Sequence, residues 1–224
     1  MKYYLAPLEG ITTYIYRRAY HQHFAPMDKY FTPFLVHTKK GFSTKEKNDV
    51  MPEHSPGMNL VPQIMSNQAE SFLHTVEKLK VYGYEEVNLN LGCPSGTVTA
   101  KGKGAGFLAK PEELERFFDE VFAAVKLPVS VKTRLGVKEP EEFERLLDIY
   151  NRYPIACLTI HPRVQKQFYK GTVHRDWFAW AAERSRNPLC YNGDLVTVED
   201  CTVFAVDFPA IDAVMIGRGA IADP

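Results

Sequence analysis

Charge of one sign is the first thing missing. The 27 basic and 27 acidic residues cancel across 224 residues, and the isoelectric point lies near 7.0. A domain dedicated to nucleic acid is usually more basic, so such a partner has to be met by a local patch. Long apolar runs are missing as well. No window offers roughly 18 consecutive apolar residues, which excludes a transmembrane helix, and the opening MKYYLAPLEG has no run suited to a secretion signal. Cysteine is sparse: Cys93, Cys157, Cys190 and Cys201 show neither CxxC spacing nor a paired His/Cys ligand motif. That fits a reducing, cytoplasmic setting better than a disulfide framework or a zinc site, and no metal is expected. There is no low-complexity tract and no repeat beyond a strand–helix unit.

What is present is an alternation. Short runs rich in β-branched residues recur as YYLAPL (3–8), KYFTPF (29–34), NLVPQIM (59–65), EVNLNLG (86–92), PVSVKTRL (128–135), ACLTIHP (156–162), LCYNGDL (189–195) and AVMIGRG (213–219). Amphipathic segments lie between them. Asn67 and Glu70 give an N-cap signal ahead of Phe72, Leu73, Val76 and Leu79. Pro111 precedes Leu114, Phe117, Phe118, Val121, Phe122 and Val125, which fall on one helix face. Pro140 opens another helix with Phe143, Leu146, Leu147 and Tyr150 inward, and Thr197 with Asp200 has capping-box spacing.

Alternating strands and helices with near-continuous apolar strands argue for a parallel sheet buried on both faces. Eight units favour an α/β fold of the (β/α)8 TIM-barrel type over a doubly wound open sheet, as one domain over residues 1–224. Two irregularities stand out. Residues 35–58 lack a clear helix, so the second crossover is expected to be loop-like and to sit over the mouth. The chain also stops at Pro224, just after the eighth run, so the last helix is expected to be missing.

In such barrels chemistry sits where strands end. Those ends collect Ala6-Pro7-Leu8, Gln63, Asn90 and Cys93, Lys132 and Arg134, His161 and Arg163, Asn192-Gly193-Asp194, and Gly217-Arg218-Gly219. Glycine turns after the last two strands suit a phosphate, whose oxygens bare N–H groups can approach, with Arg218 as charge partner; two tight turns that need glycine for packing are the alternative. Lys132, deep in the mouth, either faces the negative end of a reduced flavin ring or bridges to Glu9 or Asp194. Gln63 offers a donor and an acceptor to an imide edge. Lys101, Lys103, Arg163, Lys166 and Lys170 make a basic rim, read either as a footprint for a phosphate backbone or as solvated loops. KGKGAG (101–106) is no dinucleotide fingerprint, since it does not open a helix within a βαβ unit, and reads as a mobile lysine-bearing loop.

Taken together the segments LAPLEGIT (5–12), VPQIM (61–65), NLNLGCPSGTVTAKGKGAGFL (88–108), VSVKTRLG (129–136), LTIHPR (158–163), YNGDL (191–195) and MIGRGA (215–220) resemble the tRNA-dihydrouridine synthase family, in the family's order and across the chain. Asn-x-x-Cys-Pro and the loop after it are the most specific. The resemblance implies an FMN-binding barrel that reduces uridine in tRNA to 5,6-dihydrouridine with NADPH as electron source. It assigns Ala6, Pro7, Leu8, Gln63, Lys132, His161, Asn192, Gly193, Asp194, Gly217 and Arg218 to the cofactor. Asn90, with Lys101, Arg134 and Arg163, falls to the substrate, and Cys93 to proton donation. There are two departures: the family's helical C-terminal domain has no counterpart here, which weakens the expected grip on tRNA, and Glu9 stands where many members have a smaller residue.

The thiol suits its assigned part. Hydride addition at uracil C6 leaves enolate character across C5 and O4, and an ordinary cysteine, with pKa about 8.5, is protonated near neutrality and can deliver a proton to C5. The bland reading makes Cys93 a small buried hydrophobe, as Cys157, Cys190 and Cys201 are expected to be. The target base has to leave its stack to reach a barrel mouth, where Phe168, Tyr169 and Lys170 can receive the RNA. Rival readings are a flavin barrel acting on free pyrimidines, of the dihydroorotate or dihydropyrimidine dehydrogenase kind, and a barrel that binds a phosphorylated ligand without chemistry. A monomer is expected, with no membrane partner.

Overall fold

The structure is a computed structural model and describes residues 1–36 and 41–224. The elements in chain order are β1 (Lys2–Leu5), α1 (Tyr14–His23), β2 (Lys29–Phe31), α2 (Thr44–Val50), β3 (Leu60–Val61), β4 (Gln63–Ile64), α3 (Ala69–Lys80), β5 (Val87–Leu91) and α4 (Gly96–Thr99). They continue with α5 (Pro111–Ala124), β6 (Val129–Gly136), α6 (Glu142–Tyr150), β7 (Leu158–Val164), α7 (Arg175–Arg184), β8 (Leu189–Tyr191), α8 (Val198–Asp207), β9 (Ala213–Ile216) and α9 (Gly219–Ala222).

All strand pairs are parallel, in the order β3-β2-β1-β9-β8-β7-β6-β5-β4. β3 and β4 are one barrel strand interrupted at Pro62, which lacks an N–H for the ladder. Its carbonyl still accepts from Asn88 N at 2.9 Å, so the strand pairs β2 before the proline and β5 after it, and the barrel closes. The eight runs read from sequence are the eight staves of this (β/α)8 barrel. Alternation divides their side chains. Leu89, Val131 and Ile160 point outward into a core shared with Phe72, Leu114, Phe118 and Leu147 of the helices. Tyr4, Ala6, Phe31, Val61, Cys190, Ala213 and Met215 pack on the other face, with Cys157 against them.

Two expectations change and a third holds. The second crossover contains α2, opened by a capping box: Ser43 Oγ accepts from Glu46 N at 3.3 Å while Ser43 N donates to the Glu46 carboxylate at 2.8 Å. Residues 37–40 of that crossover lie outside the described part. Its apolar period is hidden because its buried face carries Asp49, which pairs with Arg17 on α1; that arginine is itself fully buried. The helix of residues 69–80 is not capped by Asn67, whose amide donates instead to Lys101 O at 3.1 Å. The Thr197–Asp200 capping box is present, with Asp200 N donating to Thr197 Oγ1 at 3.1 Å.

Candidate active site

The C-terminal strand ends converge on one cavity. Ala6, Pro7 and Leu8 after β1 face Gln63, Asn90 and Cys93 across it. Lys132, Arg134 and His161 lie between them and the two turns Asn192-Gly193-Asp194 and Gly217-Arg218. Two residues assigned from sequence do not line it. Lys101 sits on the turn after α4, and Arg163 is buried behind the wall. The cavity also takes Glu9, Pro33, Phe34 and Tyr169. Pro33-Phe34 was legible as the exit of KYFTPF, the one strand end from which no residue was drawn.

Cys93 sits in a turn held from three sides. Asn90 Oδ1 accepts from Gly92 N at 3.1 Å and from Cys93 N at 2.9 Å. Arg134 Nε donates to Gly92 O at 2.8 Å, and Ala105 N donates to Cys93 O at 3.0 Å. Burial pushes the thiol upward, so it stays protonated through neutrality. Asn90 and Arg134 therefore hold the turn as well as lining the cavity. Arg134 is 1% exposed, and its NH1 goes to Val164 O at 3.2 Å.

The glycine loop is packed rather than open. Gly104 has φ +54°, and a Cβ there would lie 2.8 Å from Cys93 O; a Cβ at Gly106 would lie 2.7 Å from Thr99 Cα. Ala105, Phe107 and Leu108 are buried. These glycines let the segment press against the cysteine turn, so the mobile loop expected from sequence is replaced by a close-packed support.

The opposite wall is cationic. Arg163 uses all five of its N–H groups: Nε to Lys170 O, NH1 to Asp194 Oδ1 and His161 Nε2, NH2 to Asp194 Oδ2 and Gly171 O. A guanidinium only donates, so His161 Nε2 is the acceptor and the neutral ring carries its proton on Nδ1. Burial, then Arg134 and Lys132, hold the His161 pKa well below the usual range. Asp194, at φ +48°, also accepts from Arg218 at 2.7 Å, and Arg163 keeps its carboxyl below the usual range. Asp194 thus orients two arginines, and Arg163 is a brace rather than a substrate contact. Tyr169 lies beyond them, its ring 5.4 Å from the Arg134 guanidinium and 5.2 Å from that of Arg218.

Lys132 has a neutral partner. Its Nζ donates to Asn192 Oδ1 at 2.7 Å, and Asn192 passes the bond on to Met215 O at 2.7 Å. It bridges to neither Glu9, which pairs with Lys45, nor Asp194. Burial, then Arg134, lowers its pKa to about 7. A lysine with spare N–H groups, beside Arg134, His161 and Arg218, asks for an anion. FMN has that chemistry in its phosphate and in the pyrimidine end of its ring, so the residues present fit it. The turn after β9 contains both alternatives. A Cβ at Gly219 would lie 2.4 Å from Leu195 O, so packing requires that glycine, while at Gly217, which also lines the cavity, the nearest neighbour would be Ala6 Cβ at an ordinary 3.5 Å. Among the described residues no group of three or more His, Cys, Asp or Glu is placed to hold a metal, and no helix is long and apolar enough to cross a membrane.

Fold and site define a (β/α)8 barrel whose mouth sets one protonated thiol across from an anion-seeking wall. The family model for dihydrouridine synthase (Dus) matches residues 4–224, and the chain belongs to that family. It is 29% identical over 226 residues to the probable tRNA-dihydrouridine synthase 1 of Synechocystis sp., covering 98% of this chain and 61% of that protein. It is 32% identical over 239 residues to the probable tRNA-dihydrouridine synthase of Staphylococcus aureus strain Mu50, covering 98% and 68%. With the tRNA-dihydrouridine(16) synthase of Ralstonia nicotianae it shares 29% over 231 residues, covering 98% and 69%. The chain thus spans about two thirds of the length of these relatives. Among solved structures, histamine dehydrogenase from Rhizobium sp. 4-9 superposes with TM-score 0.68 at 10% identity, covering all of this chain and 44% of that one. Morphinone reductase superposes at 0.63 with 13% identity, covering 97% and 82%. At these identities the likeness is one of fold.

Proposed function

We propose that this chain is the FMN-binding catalytic barrel of a tRNA-dihydrouridine synthase, reducing a uracil in tRNA to 5,6-dihydrouridine with NADPH as the source of electrons. The observation that carries the reading is one cavity lined by both the protonated Cys93 thiol and Lys132, which lacks a carboxylate partner among the described residues. Family membership and the relatives' names support the substrate.

In this reading Lys132 and the turn backbones at Gly193 and Gly217 would hold the cofactor, Arg218 would offer charge to its phosphate, and Gln63 would offer a donor and an acceptor to its imide edge. Bound there, the flavin supplies hydride to uracil C6. Asn90, Arg134 and Ala105 fix the backbone of Cys93, so its Sγ–H is held ready over the base. The proton passes from Sγ to C5, and the resulting thiolate is reprotonated from solvent. Neutral His161 offers Nδ1–H as a donor without adding charge to the wall. Tyr169, set at the mouth beside two guanidiniums, gives an incoming base a face on which to stack.

The test is an absorbance spectrum of the purified chain with identification of any released chromophore, followed by titration with FMN. A yellow protein carrying FMN, or saturable uptake of FMN, is expected. A colourless protein that takes up none overturns the proposal.

A further inference from the structure

Below the cavity runs a chain of side-chain amides with a single direction. Gln63, Asn88 and Ser130 are register partners across β4, β5 and β6, and all are buried. Asn90 stands two residues above Asn88 on the same face of β5. Asn90 Nδ2 donates to Gln63 Oε1 at 2.7 Å, Gln63 Nε2 to Asn88 Oδ1 at 2.8 Å, and Asn88 Nδ2 to Ser130 Oγ at 2.9 Å. Ser130 Oγ in turn reaches Val87 O at 3.4 Å.

An amide taken alone can be turned either way round. Here the two ends decide. The upper end is the N–H groups of Gly92 and Cys93, which only donate, so Asn90 has to present its oxygen to them. That places its nitrogen toward Gln63, and each amide below is oriented by the one above. The lower end is Val87 O, which only accepts and takes the hydroxyl proton of Ser130. Both ends require the same polarity, and reversing any member would set two oxygens or two N–H groups against each other.

We infer that Asn88 is a positioning residue for Cys93, acting through Gln63 and Asn90 on the backbone of the cysteine turn. It touches neither the cavity nor the thiol. Without its carbonyl, Gln63 Nε2 has no acceptor below and Gln63 is free to rotate. Asn90 then loses the partner that aims its oxygen at Gly92 N and Cys93 N. The consequence for catalysis rests on the reading of Cys93 as the proton donor; the positional effect does not.

The experiment is amide hydrogen exchange at Gly92 and Cys93 in the wild type, Asn88→Ala and Asn88→Asp, with Val131, whose N–H donates to Cys157 O at 2.9 Å, as internal control. Asn88→Asp keeps the acceptor for Gln63 and receives the Ser130 hydroxyl proton. Exchange at Gly92 and Cys93 is expected to rise on the order of tenfold in Asn88→Ala with Val131 unchanged, and to return near the wild-type rate in Asn88→Asp. Unchanged exchange in Asn88→Ala overturns the inference. So does a uniform rise that includes Val131, which marks a structural role only, or an Asn88→Asp variant as fast as Asn88→Ala. In a parallel arm, reduced FMN-loaded protein is mixed with unmodified tRNA, and Asn88→Ala is expected to reoxidise about tenfold more slowly than the wild type at equal flavin content. A wild type that takes up no flavin defeats the functional reading, while the exchange result still decides on Asn88.

Discussion

Lys132 Nζ donates to Asn192 Oδ1 at 2.7 Å, tying the sixth strand to the turn after the eighth with a neutral acceptor where a carboxylate would be the ordinary partner for a buried lysine. Burial, then Arg134, lowers the lysine's pKa to about 7. An anion in the cavity raises it again. Binding of FMN at pH 8 in weak buffer is therefore expected to take up about one proton, and Lys132→Met is expected to abolish the uptake. In the ligand-free protein the unfolded chain binds more protons than the folded one between pH 7 and about 10.4, so stability rises with pH across that window and this slope is lost in Lys132→Met. Calorimetry in buffers of different ionisation heat and denaturation at several pH values measure both.

Cys93 is pushed the other way, upward by burial. As an acid it has to be protonated to act. Turnover limited by this proton is expected to stay level through neutral pH and to fall only above the ordinary thiol range. The alkylation rate of Cys93 with iodoacetamide should rise with pH over the same high range. A thiol that reacts with a midpoint below 8 would identify a nucleophile instead.

The glycines behind Cys93 separate packing from flexibility. Gly106→Ala brings a Cβ within 2.7 Å of Thr99 and is expected to cost about 1–3 kcal/mol in chemical denaturation. Gly96→Ala, with nothing within 4 Å of the added carbon, is expected to be neutral or slightly stabilising. Equal effects at the two positions would argue for a loop that needs freedom at both.

Asp194 accepts from two arginines and its carboxyl lies below the usual range, chiefly through Arg163. Its stabilisation is fully present above the unfolded value near 3.9 and is lost as pH falls through the lower folded value. Asp194→Ala is expected to cost on the order of 2 kcal/mol at pH 7, less than the roughly 3–5 of a fully buried pair because the carboxylate is partly exposed. Flavin affinity should fall with it, since Arg218 loses the group that orients it.

How far the sequence alone carries can be judged residue by residue. The strand ends were legible because apolar runs give way to polar residues at most exits, and that pattern placed Gln63, Lys132, His161 and the two glycine turns in one mouth. The helices α1 and α2 were not, because Arg17 and Asp49 occupy the buried positions where apolar residues would mark the period. Arg163 was legible as a cation at the site but not as a brace, since its five bonds go to atoms brought together from β7, the following loop and the turn at Asp194. The packed glycine loop was misread as mobile because composition reports permission to bend, while contact distances report what that permission is used for. Tyr169 was legible at the mouth, but not its place beside the Arg134 and Arg218 guanidiniums, which follows Phe168 at φ +51°.

The most direct measurement is single-turnover reoxidation of the reduced, FMN-loaded protein by unmodified tRNA, followed at the flavin absorbance with dihydrouridine quantified in the product, for the wild type and Cys93→Ala. Reoxidation with dihydrouridine formed in the wild type, and slowed by on the order of a hundredfold in Cys93→Ala at unchanged flavin content, is the result predicted. A Cys93→Ala protein that reoxidises and forms dihydrouridine at the wild-type rate would contradict it.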